Sequence, residues 1–427
     1  MQFRDEEEFA LQLDGEEDPA LLRDRFYLQP GVIYMDGNSL GLMSRDAEKE
    51  LLRGLRQWRE LGIRGWLEAE PPWFHLAEEL GRRQAEMMGA DADEVVSAAS
   101  TTVNLHALVS SFYCPEEGRE GILADELNFP SDLYALTSQL RMRGVDPGRH
   151  LRLVRSRDGR FLEEDDIIEA MTPDVQLAVL PSVLYRSGQL LDMRRLTREA
   201  HDRGITIGFD CSHSAGVVPH RLSEWGVDFA FWCSYKYLNS GPGGIASLYV
   251  NRRHFRRRRG LAGWWGCDKS SQFDMKSEFE PARGAGGWQI GTVSVFSALP
   301  LLGSLRLLGE AGIERVRARS LRLTSYMIYL VDQLLCAPPY DCALGTPREE
   351  KRRGGHVAVK HPEALRIVQA LKARGVVPDY RPPDVIRLAP VALYNTYHEV
   401  HTAVRHIRQI IAQREYEHYS TQRQPVS

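Results

Sequence analysis

The chain has 427 residues, of which 43% are hydrophobic and 26% charged; this excludes a disordered chain and suits one large domain plus a smaller one. A net charge of −4 gives no reason to expect nucleic acid or a membrane surface as partner, and no apolar run approaches the about 18 residues that span a bilayer. The start, "MQFRDEEEFA", lacks the pattern of a secretory leader, and the six cysteines form no C-x-x-C pair, so a cytoplasmic chain with free thiols and no metal site is expected.

In chain order, residues 1–45 read as an N-terminal arm that packs with the small C-terminal domain, with an acidic start and a turn at "YMDGNSLG". "SRDAEKELLRGLRQWREL" then opens a helix, with Ser44 as N-cap and acidic residues in the first turn. Strands and helices alternate after it. "GILADE", "VQLAVLPSV", "GITIGFD" and "VDFAFWCS" are short, apolar and rich in β-formers. "YALTSQLRMRG" and "MRRLTREAHDRG" are helical and each stops at a glycine. Buried strands separated by helices predict an α/β fold with a mainly parallel sheet over 46–298. From about Leu299 long helices take over, followed by a strand–helix–strand region and a final helix. Residues 299–427 therefore read as a smaller α+β domain.

Open parallel sheets bind ligands beyond the carboxyl ends of their strands. Three polar groups fall at such ends. Asp210 closes "GITIGFD", Lys236 follows "VDFAFWCS", and Thr101 and Thr102 follow "DEVVSAAS" and open a helix. Taken singly, an Asp there is usually a turn residue, a Lys a solvated one and a Thr pair an N-cap. Together they suit pyridoxal 5'-phosphate (PLP). That cofactor needs a lysine for a Schiff base, a carboxylate at its pyridinium nitrogen, and a phosphate cradle at a helix N-terminus. An apolar strand ahead of Lys236 would also favour its neutral, nucleophilic form.

The surrounding text is more specific. "YMDGNSLG", "TTVNLHAL", "NFPSD", "GFDCSHSAG", "WGVDFAFWCSYKYLNSGPGG", "GWWG" and "IRLAPVALYN" occur in this order. Over about residues 25–410 the chain resembles the kynureninases, PLP enzymes of the fold-type I, class V aminotransferase-like superfamily. The resemblance implies hydrolytic Cβ–Cγ cleavage of L-kynurenine to anthranilate and L-alanine, in tryptophan catabolism or NAD precursor synthesis. It makes Lys236 the cofactor lysine and Tyr235 its acid–base partner, which would also reach the phosphate. Asp210 would pair with the ring nitrogen, with His213 on the same side. Phe129 would stack on the ring and Asp132 would meet its edge. Thr101 and Thr102 would hold the phosphate. Trp264 and Thr292 match positions that reach the cofactor from a second subunit, implying a homodimer with shared sites. Arg387 matches the arginine that clamps the substrate's α-carboxylate, a task suited to a bidentate guanidinium.

There are departures from the family pattern. Pro181 stands where a small hydroxyl residue is expected, with Ser182 as the available substitute. Trp66 and Thr292 stand where animal enzymes carry His and Asn, which points to a substrate pocket for Trp66 and to poorer use of 3-hydroxykynurenine. The competing enzyme reading is another fold-type I member, such as a cysteine desulfurase or an aminotransferase; the desulfurase pattern has His where this chain has Tyr235. The run "RRHFRRRR" (Arg252 to Arg259) could contact phosphates, but a short basic run is more often a solvated loop. The "GPGG" after Lys236 reads as a tight turn that lets backbone pass close to the cofactor.

Overall fold

The computed structural model describes residues 3–16 and 22–423. Its main sheet has seven strands. Across the sheet they run Val95–Ser97, Ser247–Val250, Phe229–Trp232, Thr206–Asp210, Val175–Pro181, Gly121–Asp125 and Leu151–Val154. From Phe229–Trp232 outward to Leu151–Val154 every pairing is parallel. Ser247–Val250 runs against both its neighbours, so it alone points the other way. The inner strands are buried almost throughout, as strands covered by crossover helices must be. Among the described residues, no helix is long and apolar enough to cross a membrane.

The helix Arg45–Leu61 begins at Ser44, whose hydroxyl accepts the Ala47 N–H at 3.1 Å. It packs against the helix Val295–Ala311, with Leu299 set over Gly54. That contact moves a boundary. Leu299, Leu301 and Leu302 belong to the same apolar cluster as the main sheet, and this cluster continues to Val316. A second cluster begins at Leu323, within the helix Ile313–Leu334. The change expected at 298/299 therefore falls inside the first core. Helicity alone suggested the earlier break, but the face of Val295–Ala311 that packs on Arg45–Leu61 decides which core it joins.

The second cluster lies between Ile313–Leu334, the helices Ala364–Ala373 and Tyr397–Ala412, and an antiparallel sheet built on Val357–Lys360 and Val385–Leu388. The N-terminal arm joins both cores. Phe9, Ala10 and Leu13 of the helix Glu7–Glu16 enter the second, and Asp14 accepts the N–H groups of Tyr397 and His398 at 2.7 and 3.0 Å. Phe26 enters the first. The arm is thus a strap over both units, not a partner of the smaller one alone.

The basic run is more than a solvated loop. Arg257 lies over the Phe112 ring, and Arg259 is buried with its guanidinium 3.5 Å from the centre of the Trp288 ring. Arg253 donates to the buried carboxylate of Asp228 at 2.5 Å. Asp228 also meets His201 and His254, at 3.0 and 2.7 Å, and accepts the Ile207 N–H at 2.9 Å. It thereby ties the starts of Thr206–Asp210 and Phe229–Trp232 together.

Burial alone would raise the Asp228 pKa, but the hydrogen bonds from His201 and His254, the Arg253 charge and the Ile207 N–H hold it well below the usual carboxylate range. A folded pKa below the unfolded one adds stability above the unfolded value of about 3.9, and that stability is lost as pH falls toward the folded one. Asp228→Asn is expected to cost about 3 kcal/mol at neutral pH. In denaturant unfolding the gap from the parent should narrow below about pH 4.

Candidate active site

The co-directional strands end at one edge of the main sheet, around a cavity of ≈ 180 Å³. Each of five strands delivers part of the lining. Ser100, Thr101 and Thr102 follow Val95–Ser97; Asn128, Phe129 and Asp132 follow Gly121–Asp125. Pro181 and Tyr185 come from Val175–Pro181 and the loop after it. Asp210, Ser212 and His213 come from the next strand, and Tyr235 and Lys236 from the one beyond. The register Asp210↔Phe231 sets Lys236 just past Asp210.

Lys236 Nζ lies 3.0 Å from His213 Nε2 and 5.9 Å from the centre of the Phe129 ring. Phe129 remains 43% exposed, and Tyr185 packs edge-on against it at 5.4 Å and 87°. Burial, then the charges of Lys236 and Arg387, hold His213 well below the usual histidine pKa, so its imidazole is neutral. Burial likewise raises the Tyr235 phenol, whose hydroxyl faces the Cys233 thiol.

Asp210 accepts the Ser212 N–H at 2.8 Å. Asp132 hydrogen-bonds to Asp210, and burial, then the Asp210 charge, push Asp132 well above the usual carboxylate range, with Lys236 opposing. The Asp132 Oδ2 atom is buried with no protein partner. Across the cavity the helix Thr101–Phe112 presents its N-terminus, where the first N–H groups lack intrahelical acceptors. Thr102 Oγ1 and Ser131 Oγ are 2.7 Å apart there.

Not every residue singled out from the sequence lines this cavity. Trp66, Trp264 and Thr292 line a separate apolar cleft with Trp265, Leu67 and Phe273. Arg387 lies behind Tyr185: it donates to the Tyr185 carbonyl at 2.6 Å and to Ser39 Oγ at 2.9 Å, and is ion-paired with Asp379. Ser182 does not face the cavity either. Its hydroxyl is 2.9 Å from the Asp210 carbonyl and 2.7 Å from Ser214 Oγ, while Pro181 lines the cavity.

The "GPGG" turn is corrected as well. It is absent from the cavity lining, and nothing lies within 4 Å of a Cβ placed on Gly241 or Gly243. Their φ angles of 85° and 70° are the reason for glycine there. The close backbone approach is made by Gly41 of the arm. Its N–H donates to the Tyr235 carbonyl at 2.7 Å, and an added Cβ would fall 2.3 Å from the Lys236 carbonyl oxygen. Sequence reasoning missed Tyr185, Ser131, Ser212 and Ser39. Ser39, Ser131 and Ser212 lie inside the motifs "YMDGNSLG", "NFPSD" and "GFDCSHSAG", the last two beside Asp132 and His213.

A family model for the kynureninase C-terminal domain matches residues 316–407. The kynureninase of Geobacillus thermodenitrificans is 55% identical over 420 residues, 98% of each chain. Those of Bacillus anthracis and Shouchella clausii are 53% and 52% identical over the same span. The chain belongs to the kynureninase family. It is a PLP-dependent hydrolase acting on carbon–carbon bonds. Among solved structures, the apo cysteine desulfurase of Thermococcus onnurineus NA1 superposes with a TM-score of 0.78 at 19% identity, over 93% of this chain and 99% of that one. A C-DES variant with glycine covalently linked to its PLP cofactor gives 0.77 at 17% identity, over 90% and 98%. These similarities show a shared fold alone.

The cavity's donor set fits the cofactor. Two crowded carboxyls, one with an orphaned oxygen, call for a cationic N–H such as a pyridinium. A helix N-terminus flanked by hydroxyls suits a phosphate. A lysine and an open aromatic face lie between them.

Proposed function

We propose that this chain hydrolyses L-kynurenine to anthranilate and L-alanine in the cavity around Lys236. The observation that carries the reading is the convergence of Lys236, Asp210, Asp132 and the Thr101–Phe112 N-terminus at one sheet edge. When bound, PLP supplies an electron sink for negative charge developing on the substrate carbons. Asp210, seconded by Asp132, holds the ring nitrogen in its cationic form. Thr101 and Thr102 anchor the phosphate, and Phe129 covers the ring. Lys236 takes the proton from the substrate's α-carbon and His213 keeps its amine oriented. Tyr235 moves a proton during Cβ–Cγ cleavage; its high pKa keeps the phenol protonated and able to donate. Arg387 holds the α-carboxylate, which requires it to exchange part of its present set of partners for the substrate.

In this reading the working unit is a homodimer, with Trp264 and Thr292 reaching the partner's cofactor and Trp66 contacting substrate. Its support is an apolar surface around their cleft: Ile63 is 80% exposed, Leu67 72% and Phe273 69%. Isolated monomers rarely keep such side chains together in water. The two apolar cores are read as a large cofactor-binding domain and a small domain, joined through the helix Ile313–Leu334. The chain is placed in the cytoplasm, in tryptophan breakdown or NAD precursor supply.

The indole of Trp66 offers no acceptor for a ring hydroxyl, so unsubstituted kynurenine should be the better substrate. Anthranilate release measured by fluorescence should give a larger kcat/KM for kynurenine than the parallel assay gives for 3-hydroxykynurenine; equal or reversed values contradict the assignment of Trp66 and Thr292. Tyr235→Phe should lower kcat by about 10²-fold or more while PLP stays bound. Wild-type kcat in that variant would remove Tyr235 from the chemistry.

A further inference from the structure

Asp36 has no role above, yet it stands beside the guanidinium assigned to the substrate carboxylate. It lies in the "YMDGNSLG" turn of the arm and is half-buried. It bridges in parallel to Ala389, just past the strand Val385–Leu388, and the Ala389 N–H donates to the Met35 carbonyl at 2.8 Å. The Ser39 hydroxyl connects Asp36 to Arg387. It accepts from Arg387 Nη2 at 2.9 Å and donates to the Asp36 carboxylate.

Four charges meet here. Asp379 lies opposite Arg387 in the strand pair. It is ion-paired with Arg387, and with Arg381 at 2.9 Å. The Asp379 and Arg387 side chains are each 1% exposed, so neither can turn its charge to water. Among the described residues Asp36 is in no ion pair, and its Oδ1 atom is enclosed without a hydrogen-bond partner. Two carboxylates thus balance two guanidiniums before a ligand arrives. A substrate carboxylate on Arg387 adds a third negative charge where water is excluded. An enclosed, uncompensated charge is costly, and the usual outcome is that a nearby acid keeps its proton. Asp379 has two guanidiniums in direct contact and Asp36 has none, so Asp36 is the acid that gives way.

Burial, then the Asp379 charge, push Asp36 up to about 6, with Ser39, Arg387 and Arg381 opposing. The other titratable groups around it are the phenols of Tyr34, Tyr237 and Tyr394, which burial raises and keeps protonated. His213 and His356 face Arg387 and are held neutral, chiefly by burial.

We propose that Asp36 is a positioning residue that acts through Arg387: it takes up one proton from solvent as a carboxylate ligand seats on that guanidinium. The protonated carboxyl is a donor. It can return a hydrogen bond to Ser39 when Arg387 turns from that hydroxyl to the ligand. The direction of the pH dependence follows. Above about pH 6 the free protein must gain the proton, so carboxylate affinity falls as pH rises; below it Asp36 is already neutral and affinity is level. This rests on the reading of Arg387 as the carboxylate clamp.

The test uses PLP-loaded protein and desamino-kynurenine, the substrate without its α-amine, which keeps the carboxylate and cannot displace Lys236. Titration calorimetry in buffers of different ionisation heat counts the protons taken up, and competition against kynurenine gives Ki. At pH 7 the wild type should take up about half a proton or more per ligand, and Asp36→Asn close to none. Wild-type Ki should rise about tenfold from pH 6 to pH 8 and stay level in Asp36→Asn. At pH 8 that variant should bind the carboxylate more tightly than the parent, an outcome that a merely structural Asp36 would not give. Asp36→Ser serves in its place if Asp36→Asn does not fold. Binding without proton uptake in the wild type overturns the proposal with no variant needed. So does uptake that persists in the variant, which would put the proton on Asp379 or a histidine. Arg387→Gln, assayed with desamino-kynurenine and its uncharged carboxamide, separates the two readings. It should abolish the preference for carboxylate over amide. An intact preference overturns the clamp and this proposal with it; a lost preference with uptake persisting in Asp36→Asn overturns this proposal alone.

Discussion

The parallel pairing of Thr206–Asp210 with Phe229–Trp232 is the constraint on which the site depends. It fixes Asp210 opposite Phe231 and so brings a carboxylate and the lysine that follows the neighbouring strand to one edge. Asp228 holds the other end of the pair, accepting the Ile207 N–H while neutralised by Arg253. Both strands are apolar and buried, so a slip of one residue would turn each side chain to the opposite face of the sheet. The precision of the site is therefore inherited from the core rather than from its loops.

The cavity itself is held in electrostatic tension. Asp132 and Asp210 crowd each other, His213 is forced neutral, and Tyr235 is desolvated. Perturbations of this kind collect where chemistry is done. They share one remedy, a ligand with a cationic ring edge near the carboxyls and a dianionic end at the helix N-terminus. The arm contributes backbone to the same place. Gly41 packs on the Tyr235–Lys236 segment while Glu7–Glu16 docks on the second core, so the strap joins the lysine turn to the unit that carries Arg387.

Much of this was legible from residue order. The apolar runs ending in Asp210 and before Lys236 are strands, and their alternation with helices sends their carboxyl ends to one edge. Leu151–Val154 and Ser247–Val250 have no counterpart in the sequence reading: Arg152 interrupts the first and the second opens on Ser247, so neither stands out as an apolar run as "VDFAFWCS" does. The reversed direction of Ser247–Val250 is a tertiary outcome with no local signature. Helix length suggested a break at Leu299, yet the partner of Val295–Ala311 lies some 250 residues earlier in the chain, in Arg45–Leu61. Ser182 looked free to bind a ligand, but the backbone of Asp210 had claimed its hydroxyl.

The central claim is that Lys236 is the residue to which the cofactor is attached. Borohydride reduction of the PLP-loaded protein, followed by peptide mass mapping, tests it directly. The account requires the reduced pyridoxyl adduct on the peptide containing Lys236, and its loss in Lys236→Ala. An adduct on another lysine, or none in protein that retains PLP, would contradict it.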